Sequence, residues 1–548
     1  MSLEAGREAF RRGALEEARA HFEKCAAEGE SPEALEELGL VAWWRDDAAT
    51  TFDARERAYR LYRDRDDVRG AARVALWLVW DSLAFRGDTA VASGWMERAR
   101  RLLEGHEDSA EFGWLLAREG EVTLFRAHDP RAACTIAVRA AEIGRRLADR
   151  ALEFTGLALE GLALVSAGDV APGLRRLDEA TAAATAGEVK ELHAVGVVCC
   201  WQIFACERVR DFERAAQWCA RAEEFTRRWH LRPLSAVCRA QYAGVQIWRG
   251  HWAEAEAELL AAVQDLESAR PAMAVQAIAR LGELRLRQGR FADASRLFEQ
   301  AASQPVARVG RAALLLEQGE ADESAAELER FLAYVGDKEP TIRAGALELS
   351  VRSHAARGDR AAATKALEEL DDIARSIPTT PMMAAAVIAE GALLRAFGAP
   401  SDAARCFQRA VDLFQESGAP FEVAQARLAL AHVLAENGSR GAATREAGLA
   451  RDAFHSLGAH AYEARAAAWL AGVSIGTSTQ RGRQALPLTT RQIEILRLLA
   501  KGLSNPQIAV RLRLSEHTVK RHVANLFTKL RLSSRAAAAA YAAQHDLL

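Results

Sequence analysis

The sequence predicts an all-α protein in which a superhelix of about twelve helical hairpins precedes a small four-helix domain. Three observations support this prediction. Ala, Leu, Glu and Arg dominate the 548 residues, whereas Pro occurs only 13 times, and such a composition favours helix. A pattern of small and large residues recurs about every forty positions, within the range of helical repeat proteins. We find no strand pattern that could carry a nucleotide-binding fold.

The recurring frame consists of a small residue, a large apolar residue four positions later and a small residue after three more. In residues 289–301 these are Ala294, Phe298 and Ala301, which share one face of a helix. The first position of the frame occurs at 18, 54, 92, 133, 173, 215, 255, 294, 324, 363, 403 and 443. The gap of 30 between 294 and 324 predicts a trimmed loop near residues 303–307.

In nine of these units a Gly stands five residues before the first position, as Gly289 does before Ala294. We expect this Gly to end the first helix of a hairpin in a left-handed conformation, which Gly adopts without steric cost. The units at 54, 133 and 215 lack the Gly, and the first of them is placed at Ala54, Ala58 and Leu61.

The frame resembles the second helix of the tetratricopeptide repeat, with a spacing several residues longer. It therefore predicts a tetratricopeptide-like α-solenoid over residues 1–472. Stacked hairpins form a concave surface that can bind an effector or a protein partner. Tryptophans crowd the first third of the chain, where they form either bulky packing between helices or a ligand cage: Trp43, Trp44, Trp77, Trp80, Trp95 and Trp114.

Charge separates the end of the chain from the rest. Residues 481–548 carry 12 Lys and Arg against 3 Asp and Glu, whereas the first 480 residues carry 60 against 72. A basic segment on an acidic body indicates that only this segment meets a polyanion. The polar stretch 473–487, which closes with Pro487, is predicted to be a flexible linker between the two parts.

Residues 488–548 contain closely spaced helix start signals. Thr489 with Gln492 and Ser504 with Gln507 form capping boxes, and Ser515 caps a third helix. The order of a short helix, a tight turn and a longer basic helix predicts a helix-turn-helix. The longer helix turns Val519, Val523, Leu526 and Leu530 inward, and it presents on its opposite side His517, Lys520, Arg521, Ala524, Asn525 and Thr528. Such a basic and slender face suits the major groove of DNA.

This segment resembles the LuxR-type helix-turn-helix of bacterial transcription regulators. The resemblance depends on L-T-x-R near the start, G-x-S-N at 502–505, T-V-K-x-H at 518–522 and K-L at 529–530. It implies that Lys520, Arg521 and Ala524 lie against bases or nearby phosphates and that Thr518 and Lys529 contact the backbone. Asn505 and Arg511 are implied at the approach of the preceding helix to phosphate, while His522 either binds a phosphate or fills the seam between helices.

The resemblance also implies how two copies of the chain would associate. In the family, the last helix pairs two copies on DNA, and here it offers a small flat face of Ala536, Ala539, Ala540 and Ala543. Arg513 takes a position in the turn that is usually Gly, which is expected to strain the turn. The whole chain is similar to the large ATP-binding LuxR-type regulators, but it lacks their ATPase domain.

These observations predict a cytoplasmic bacterial transcription regulator that binds double-stranded DNA as a homodimer, contacts RNA polymerase and senses an unknown effector or protein partner through its repeats. We expect no enzymatic activity, cofactor, metal or membrane contact, because no catalytic motif, C-x-x-C pair, secretory signal or long apolar run is present. The alternative is a helical-repeat scaffold whose last helices serve as a docking or dimerisation module.

Overall fold

The structure, a computed structural model, describes residues 3–29, 31–229, 232–481, 488, 490–530, 532 and 534–544. Every regular element in these ranges is a helix, which confirms the predicted all-α class. The chain divides into two compact units, Met1–Ala467 and Ala468–Leu548, which we describe separately. No helix in these ranges has the length and apolar character needed to cross a membrane.

The first unit is built from helical hairpins, each of which pairs a first helix with a second one. The first helices are α1 (Leu3–Arg11), α3 (Pro32–Trp44), α5 (Val68–Asp81), α7 (Ala110–Phe125), α9 (Arg150–Ser166), α11 (Leu192–Arg208), α13 (Arg232–Arg249), α15 (Pro271–Arg287), α17 (Pro305–Glu317), α19 (Pro340–Ala356), α21 (Thr380–Ala396) and α23 (Pro420–Glu436). The second helices are α2 (Leu15–Glu28), α4 (Ala48–Asp64), α6 (Thr89–Leu102), α8 (Pro130–Leu147), α10 (Val170–Ala186), α12 (Phe212–Trp229), α14 (Trp252–Glu267), α16 (Phe291–Gln300), α18 (Ala321–Val335), α20 (Arg360–Ser376), α22 (Pro400–Glu416) and α24 (Arg440–Leu457).

Two further elements complete this part of the chain. A π-helical turn, Ser82–Arg86, extends α5, and α25 (His460–Arg481) follows the last hairpin. α25 therefore covers the first part of the segment 473–487 that the sequence predicts to be a linker. The helix can continue into this segment because Ser, Thr and Gln are tolerated in helices. Pro487, which strongly disfavours helix, comes only at the end of the segment. Residues 482–487 lie outside the described residues.

The predicted frame coincides with the second helices. All twelve first positions of the frame fall on them, from Ala18 on α2 to Ala443 on α24, and all are buried. The nine predicted glycines adopt φ values between 68° and 95°, so each first helix with such a Gly ends in a left-handed residue as expected. Local residue size thus defines the hairpins because small residues allow the paired helices to approach closely.

Two of the hairpins without Gly use another residue at the same place. His128 and Arg210 adopt left-handed φ values of 51° and 58°, five residues before Ala133 and Ala215. A left-handed side chain costs about 1–2 kcal/mol, so surrounding contacts must hold these residues there. Such contacts exist, because His128 Nδ1 lies 2.8 Å from Glu339 Oε1 and Arg210 Nη2 lies 3.1 Å from Glu348 Oε2.

The predicted frame of the second hairpin is wrong by three residues. The left-handed residue is Asp46, with φ of 60°, so the frame begins at Thr51 and continues with Arg55 and Ala58 rather than with Ala54, Ala58 and Leu61. Thr51, Arg55 and Ala58 are all buried. The polar character of the first two hides the frame in the sequence, because a buried arginine replaces the usual large apolar residue.

The short gap between 294 and 324 also has a different origin from the predicted one. α16 contains 10 residues and α17 contains 13, and both are shorter than their counterparts in the neighbouring hairpins. The connection between them, residues 301–304, is no shorter than the connections around it. The prediction of a trimmed loop is therefore wrong, and it is the helices that are shortened.

Contacts between distant hairpins bring successive turns of the superhelix together. Some of the loops between the two helices of a hairpin lie against the start of a helix several hairpins further along the chain, as Gly168 does against Pro340 and Gly250 against Pro420. Asp46 Oδ1 accepts a hydrogen bond of 2.5 Å from Arg270 Nε, and Gly289 lies against Ala461. A cavity of about 1040 Å³, here called the central cavity, is lined by residues of several turns and is open to solvent. Ion pairs line it, including Arg208 with Glu339 at 2.8 Å and Arg287 with Glu422 at 2.5 Å.

Gly289→Ala is expected to destabilise the first unit more than Gly398→Ala does. Both glycines are left-handed, at φ of 79° and 82°, so each Ala costs about 1 kcal/mol in backbone strain. A Cβ at 289 would also lie 2.9 Å from the backbone nitrogen of Ala461, whereas a Cβ at 398 meets nothing within 4 Å. Because overpacking costs about 1–3 kcal/mol, we expect an additional loss of about 2 kcal/mol in urea unfolding of the full chain. Equal losses would contradict the contact between turns.

Candidate nucleic-acid interface

The second unit contains the predicted helix-turn-helix. Its helices are α26 (Thr490–Ala500), α27 (Asn505–Leu512), α28 (Glu516–Leu530) and α29 (Arg535–Gln544). Three residues, 513–515, join α27 to α28. α28 has 15 residues against 8 in α27, so the short helix, tight turn and longer basic helix occur in the predicted order.

Local hydrogen bonds start α27 and α28 where the sequence predicts, and a further one starts α29. Gln507 Oε1 accepts a hydrogen bond of 2.8 Å from the backbone N–H of Ser504 at the start of α27. Ser515 Oγ accepts one of 3.1 Å from Thr518 N at the start of α28, and Ser534 Oγ accepts one of 3.0 Å from Ala537 N at the start of α29. Thr489, the predicted cap of α26, lies outside the described residues.

The turn between α27 and α28 depends on two arginines. Arg513 ends α27 in the left-handed region, with φ of 53°. Arg491, on α26, donates a hydrogen bond of 2.6 Å to the carbonyl oxygen of Leu512 and pairs with Glu494 at 2.7 Å. The guanidinium of Arg491 thereby satisfies a carbonyl group at the end of α27 and fixes the turn to the first helix.

Arg513→Gly is expected to stabilise the second unit by about 1 kcal/mol, because Gly adopts the left-handed conformation without steric strain. Arg513 is exposed and loses no buried contact. Hydrogen exchange of the α26–α29 amides in the full chain should slow about fivefold. Arg497→Gly, inside α26, is the matched control and should accelerate exchange by a similar factor. Faster exchange in Arg513→Gly would show that the turn is not strained.

The inward side of α28 packs as predicted. Val519 and Val523 join Ile495, Leu499 and Ile508 in one apolar cluster. A second cluster continues along the same helix, and it contains Leu496, Leu526, Leu530, Ala538 and Ala542. α28 is therefore held by α26 and α27 near its start and by α29 near its end, which fixes the direction of its outward side.

The outward side of α28 presents the predicted residues to solvent. Its exposed side chains are those of His517, Lys520, Arg521, Ala524, Asn525, Thr528 and Lys529. Thr518 and His522 are half-buried at the edge of this face. Lys520 Nζ lies 3.0 Å from Glu516 Oε1, whereas Arg521 and Lys529 have no ion-pair partner among the described residues. The face therefore combines free positive charge with little bulk at Ala524.

The two predicted residues on α27 differ in their contacts. Arg511 is exposed and has no ion-pair partner in the described part of the chain. Asn505 is half-buried, and its Oδ1 accepts a hydrogen bond of 3.0 Å from Arg535 Nη1. The side chain of Asn505 thus already has one partner within the domain, and its amide N–H₂ group remains as the donor that could meet a phosphate.

Two features of this surface were not predicted. Arg535, at the start of α29, also donates a hydrogen bond of 2.5 Å to the carbonyl oxygen of Leu503, so it joins α29 to the connection before α27. Val510, on α27, is 81% exposed. The position of Val510 could have been found from its neighbours, since Ile508 and Leu512 point to the core and position 510 lies on the other side of the helix.

The predicted dimer face lies on α29. The backbone of α29 is helical, and Ala538 and Ala542 are buried in the domain core. The side chains of Ala536, Ala539, Ala540 and Ala543 lie outside the described residues. The dimer face therefore remains a prediction. Among the described residues, no group of His, Cys, Asp or Glu is arranged to hold a metal ion.

A known protein family matches part of this second unit. Residues 486–542 match the family described as "Bacterial regulatory proteins, luxR family". These residues form a LuxR-type helix-turn-helix domain. The match includes α26, α27 and α28 in full, together with most of α29.

Two curated relatives are similar to this chain over a short stretch. The Fimbriae Z protein of Salmonella typhimurium is 45% identical over 67 residues, which are 12% of this chain and 32% of that protein. The response regulator protein VraR of Staphylococcus saprophyticus is 45% identical over 69 residues, 13% of this chain and 33% of that protein. The chain thus spans about a third of the length of these curated relatives.

Two solved structures are similar to the chain as a whole. The APC/C hetero-tetramer Cut9-Hcn1 matches with a TM-score of 0.46 and 14% identity, covering 86% of this chain and 89% of that one. Yeast Tom70 matches with a TM-score of 0.33 and 12% identity, covering 80% and 96%. At these scores neither structure bears on function.

Proposed function

We propose that this protein is a DNA-binding transcriptional regulator. The LuxR-type domain binds promoter DNA with α28 in the major groove, and the hairpins of the first unit sense an effector or a protein partner. The boundaries proposed for these parts are residues 1–472 for the repeats, 473–487 for a linker whose first part is the end of α25, and 488–548 for the DNA-binding domain. We place the protein in the cytoplasm, where it meets the chromosome and RNA polymerase.

The exposed face of α28 carries this proposal. Arg521 and Lys529 are solvent-exposed and have no ion-pair partner among the described residues, while Ala524 between them leaves the helix slender. In a groove, Lys520 and Arg521 supply donors to guanine edges or to phosphates, and Asn525 supplies an amide that can pair with adenine. Thr518 and Lys529 contact the sugar-phosphate backbone on the two sides of this face.

α27 completes the proposed interface. Arg511 is exposed on this helix, and Asn505 lies at its start. The N-terminus of a helix offers free backbone N–H groups and a positive dipole end, which suit phosphate. Arg511 and Asn505 therefore position the domain on the DNA backbone, while α28 reads the sequence.

We propose that two copies bind together. One helix-turn-helix reads only a few base pairs, and two half-sites about one helical turn apart extend the recognised sequence. The pairing surface proposed is the alanine face of α29, formed by Ala536, Ala539, Ala540 and Ala543. An effector would control DNA binding if the chain has two arrangements that differ in their affinity for DNA. The effector shifts the population toward the arrangement in which the repeats bind it more tightly.

Binding of the full chain to genomic fragments tests the proposal. Footprinting across the genome should yield specific sites with two related halves. With Arg511 and Lys529 on phosphates in each of two copies, the logarithm of the affinity should fall with the logarithm of salt concentration at a slope of roughly −4, and at roughly −7 if Lys520 and Arg521 also contact phosphates. A slope near zero, or no enriched fragment at low salt, would overturn the proposal and favour a scaffold whose last helices dock to protein.

A further inference from the structure

A second cavity, of about 240 Å³, lies within the first unit near its amino-terminal hairpins. Its wall is mainly aromatic and apolar, and it includes Trp43, Trp80, Phe125 and Trp201. Leu83, Phe125 and Arg126 line this cavity and also the central cavity, so the two are neighbours. A small molecule in the central cavity could therefore reach the aromatic one past these side chains.

Buried hydrogen-bond donors without acceptors surround this aromatic cavity. Trp43 Nε1, Trp80 Nε1 and Arg270 Nη1 are buried and have no hydrogen-bond partner among the residues that the structure describes. Trp43 is 4% exposed and Arg270 is 1% exposed, and both line the cavity. Buried N–H groups in folded proteins are almost always paired. Three such donors thus belong to residues that line one cavity, and an acceptor bound near them would supply the missing partners.

His193 also lines this cavity. Its ring stands edge-on to three tryptophans, with centroid distances of 5.6 Å to Trp43, 5.1 Å to Trp77 and 5.2 Å to Trp80. Arg118 Nη2 lies 3.1 Å from His193 Nε2. Because a guanidinium only donates, Nε2 must accept and the proton resides on Nδ1. Burial, helped by nearby arginines, holds the pKa of His193 well below its usual value, so the ring is neutral.

The charges around the cavity leave a positive excess. Arg118 is paired with Glu121 at 2.8 Å and Arg270 with Asp46 at 2.5 Å. Arg126, which lines the cavity, is exposed and has no ion-pair partner among the described residues. An anion entering the cavity therefore meets one uncompensated cation and several N–H donors, whereas the Glu121 carboxylate, which also lines the cavity, is already paired with Arg118.

We propose that this cavity binds a small planar aromatic carboxylate. Its ring packs among Trp43, Trp80 and Phe125, and its carboxylate oxygens accept hydrogen bonds from the unpaired indole and guanidinium N–H groups. A cavity of about 150 Å³ holds benzene, so the larger space here has room for one or two rings with a carboxylate. The inference rests on the proposed function in one respect, since it names the class of effector that the repeats sense.

Calorimetric titration of the full chain with naphthoate tests this proposal. We expect micromolar to millimolar affinity, with each of Trp43→Phe and Trp80→Phe weakening it about tenfold, because each keeps the apolar ring and removes one N–H donor. Trp44→Phe is the matched control, since Trp44 is a buried neighbour of Trp43 that does not line the cavity. It should change the affinity less than twofold.

Two further measurements keep the outcome clear if a tryptophan variant misfolds. Arg126→Gln changes an exposed residue outside the core and should weaken naphthoate binding several-fold. Naphthylmethylammonium, with the same rings and the opposite charge, should not bind. The proposal is overturned if naphthoate shows no binding at millimolar concentration, if the ammonium compound binds equally well, or if Trp43→Phe and Trp80→Phe bind naphthoate like the unmodified chain.

Duplex binding measured in parallel separates this inference from the proposed function. A chain that binds its genomic sites but ignores naphthoate overturns the cavity proposal and leaves the regulator intact. A chain that binds naphthoate but no duplex leaves the cavity proposal intact and overturns the regulator. If the chain binds both its genomic sites and naphthoate, we expect naphthoate to change the affinity for the duplex by some factor. Bound DNA must then change the affinity for naphthoate by the same factor.

Discussion

Lys520→Glu combined with Arg521→Glu is expected to lower the affinity of the full chain for its genomic sites by roughly three orders of magnitude. A good contact to a base edge is worth about 1–3 kcal/mol, and the new carboxylates add repulsion from the phosphates. Both side chains are exposed on α28, so the fold of the domain should be unaffected. Fluorescence anisotropy with a labelled duplex measures the loss, and the circular dichroism spectrum checks the fold.

A control for net charge is available in the first unit. Arg145 and Arg146 are also adjacent and exposed on a helix, α8. Arg145→Glu with Arg146→Glu changes the charge of the chain by the same amount. It removes the exposed ion pair of Arg146 with Asp108, which contributes little to stability. It also removes the contact of Arg145 with the buried Glu153, which keeps Arg150 as a partner at 2.7 Å. We expect its affinity for the duplex to fall less than threefold. A similar loss in both double variants would mean that the total charge, and not the face of α28, governs binding.

The second large effect is expected at the buried ion pair between Arg55 and Asp81. Arg55 is 1% exposed and Asp81 is 0% exposed, and the guanidinium also lies 4.6 Å from the centroid of Trp77. Gly39, on the facing helix α3, leaves room for this side chain, since a Cβ there would lie 2.8 Å from Arg55 Cγ. Arg55→Met leaves Asp81 buried without its ion-pair partner and should destabilise the first unit by about 3–5 kcal/mol.

Two companion variants test this explanation. Arg55→Met with Asp81→Leu removes both charges and should recover most of the loss, because a buried ion pair is often no more stable than apolar residues of similar volume. Arg57→Met, on the same helix, removes an exposed partner of Asp53 at 3.3 Å and should cost less than about 1 kcal/mol. Urea unfolding of the full chain measures all three. If the double variant is as unstable as Arg55→Met, packing and not charge is responsible.

Features encoded by neighbouring residues were predictable from the sequence. The frame of small and large residues located the second helices, because residue size at fixed spacing determines which helix faces can approach. Gln507 and Ser515 were recognised as capping residues because the cap and the helix start lie within a few residues of each other. The inward and outward faces of α28 followed from helical periodicity alone.

Features that depend on distant residues were not predictable. Thr51 and Arg55 look like surface residues, and only Asp81 and Gly39 explain why an arginine is buried there. Asn505 looked free to meet phosphate, but Arg535, thirty residues later, already holds its carbonyl oxygen. The central and aromatic cavities arise from contacts between turns of the superhelix, which no local pattern encodes.

The contacts between turns, such as Gly289 with Ala461 and Asp46 with Arg270, restrict how this architecture can evolve. In a strictly linear array each repeat touches only its neighbours, so single units can be duplicated or deleted with little effect elsewhere. Here the insertion of one hairpin would displace every later unit by one step relative to the turn beneath it. Lineages carrying this protein should therefore keep the number of hairpins constant while their loops vary in length.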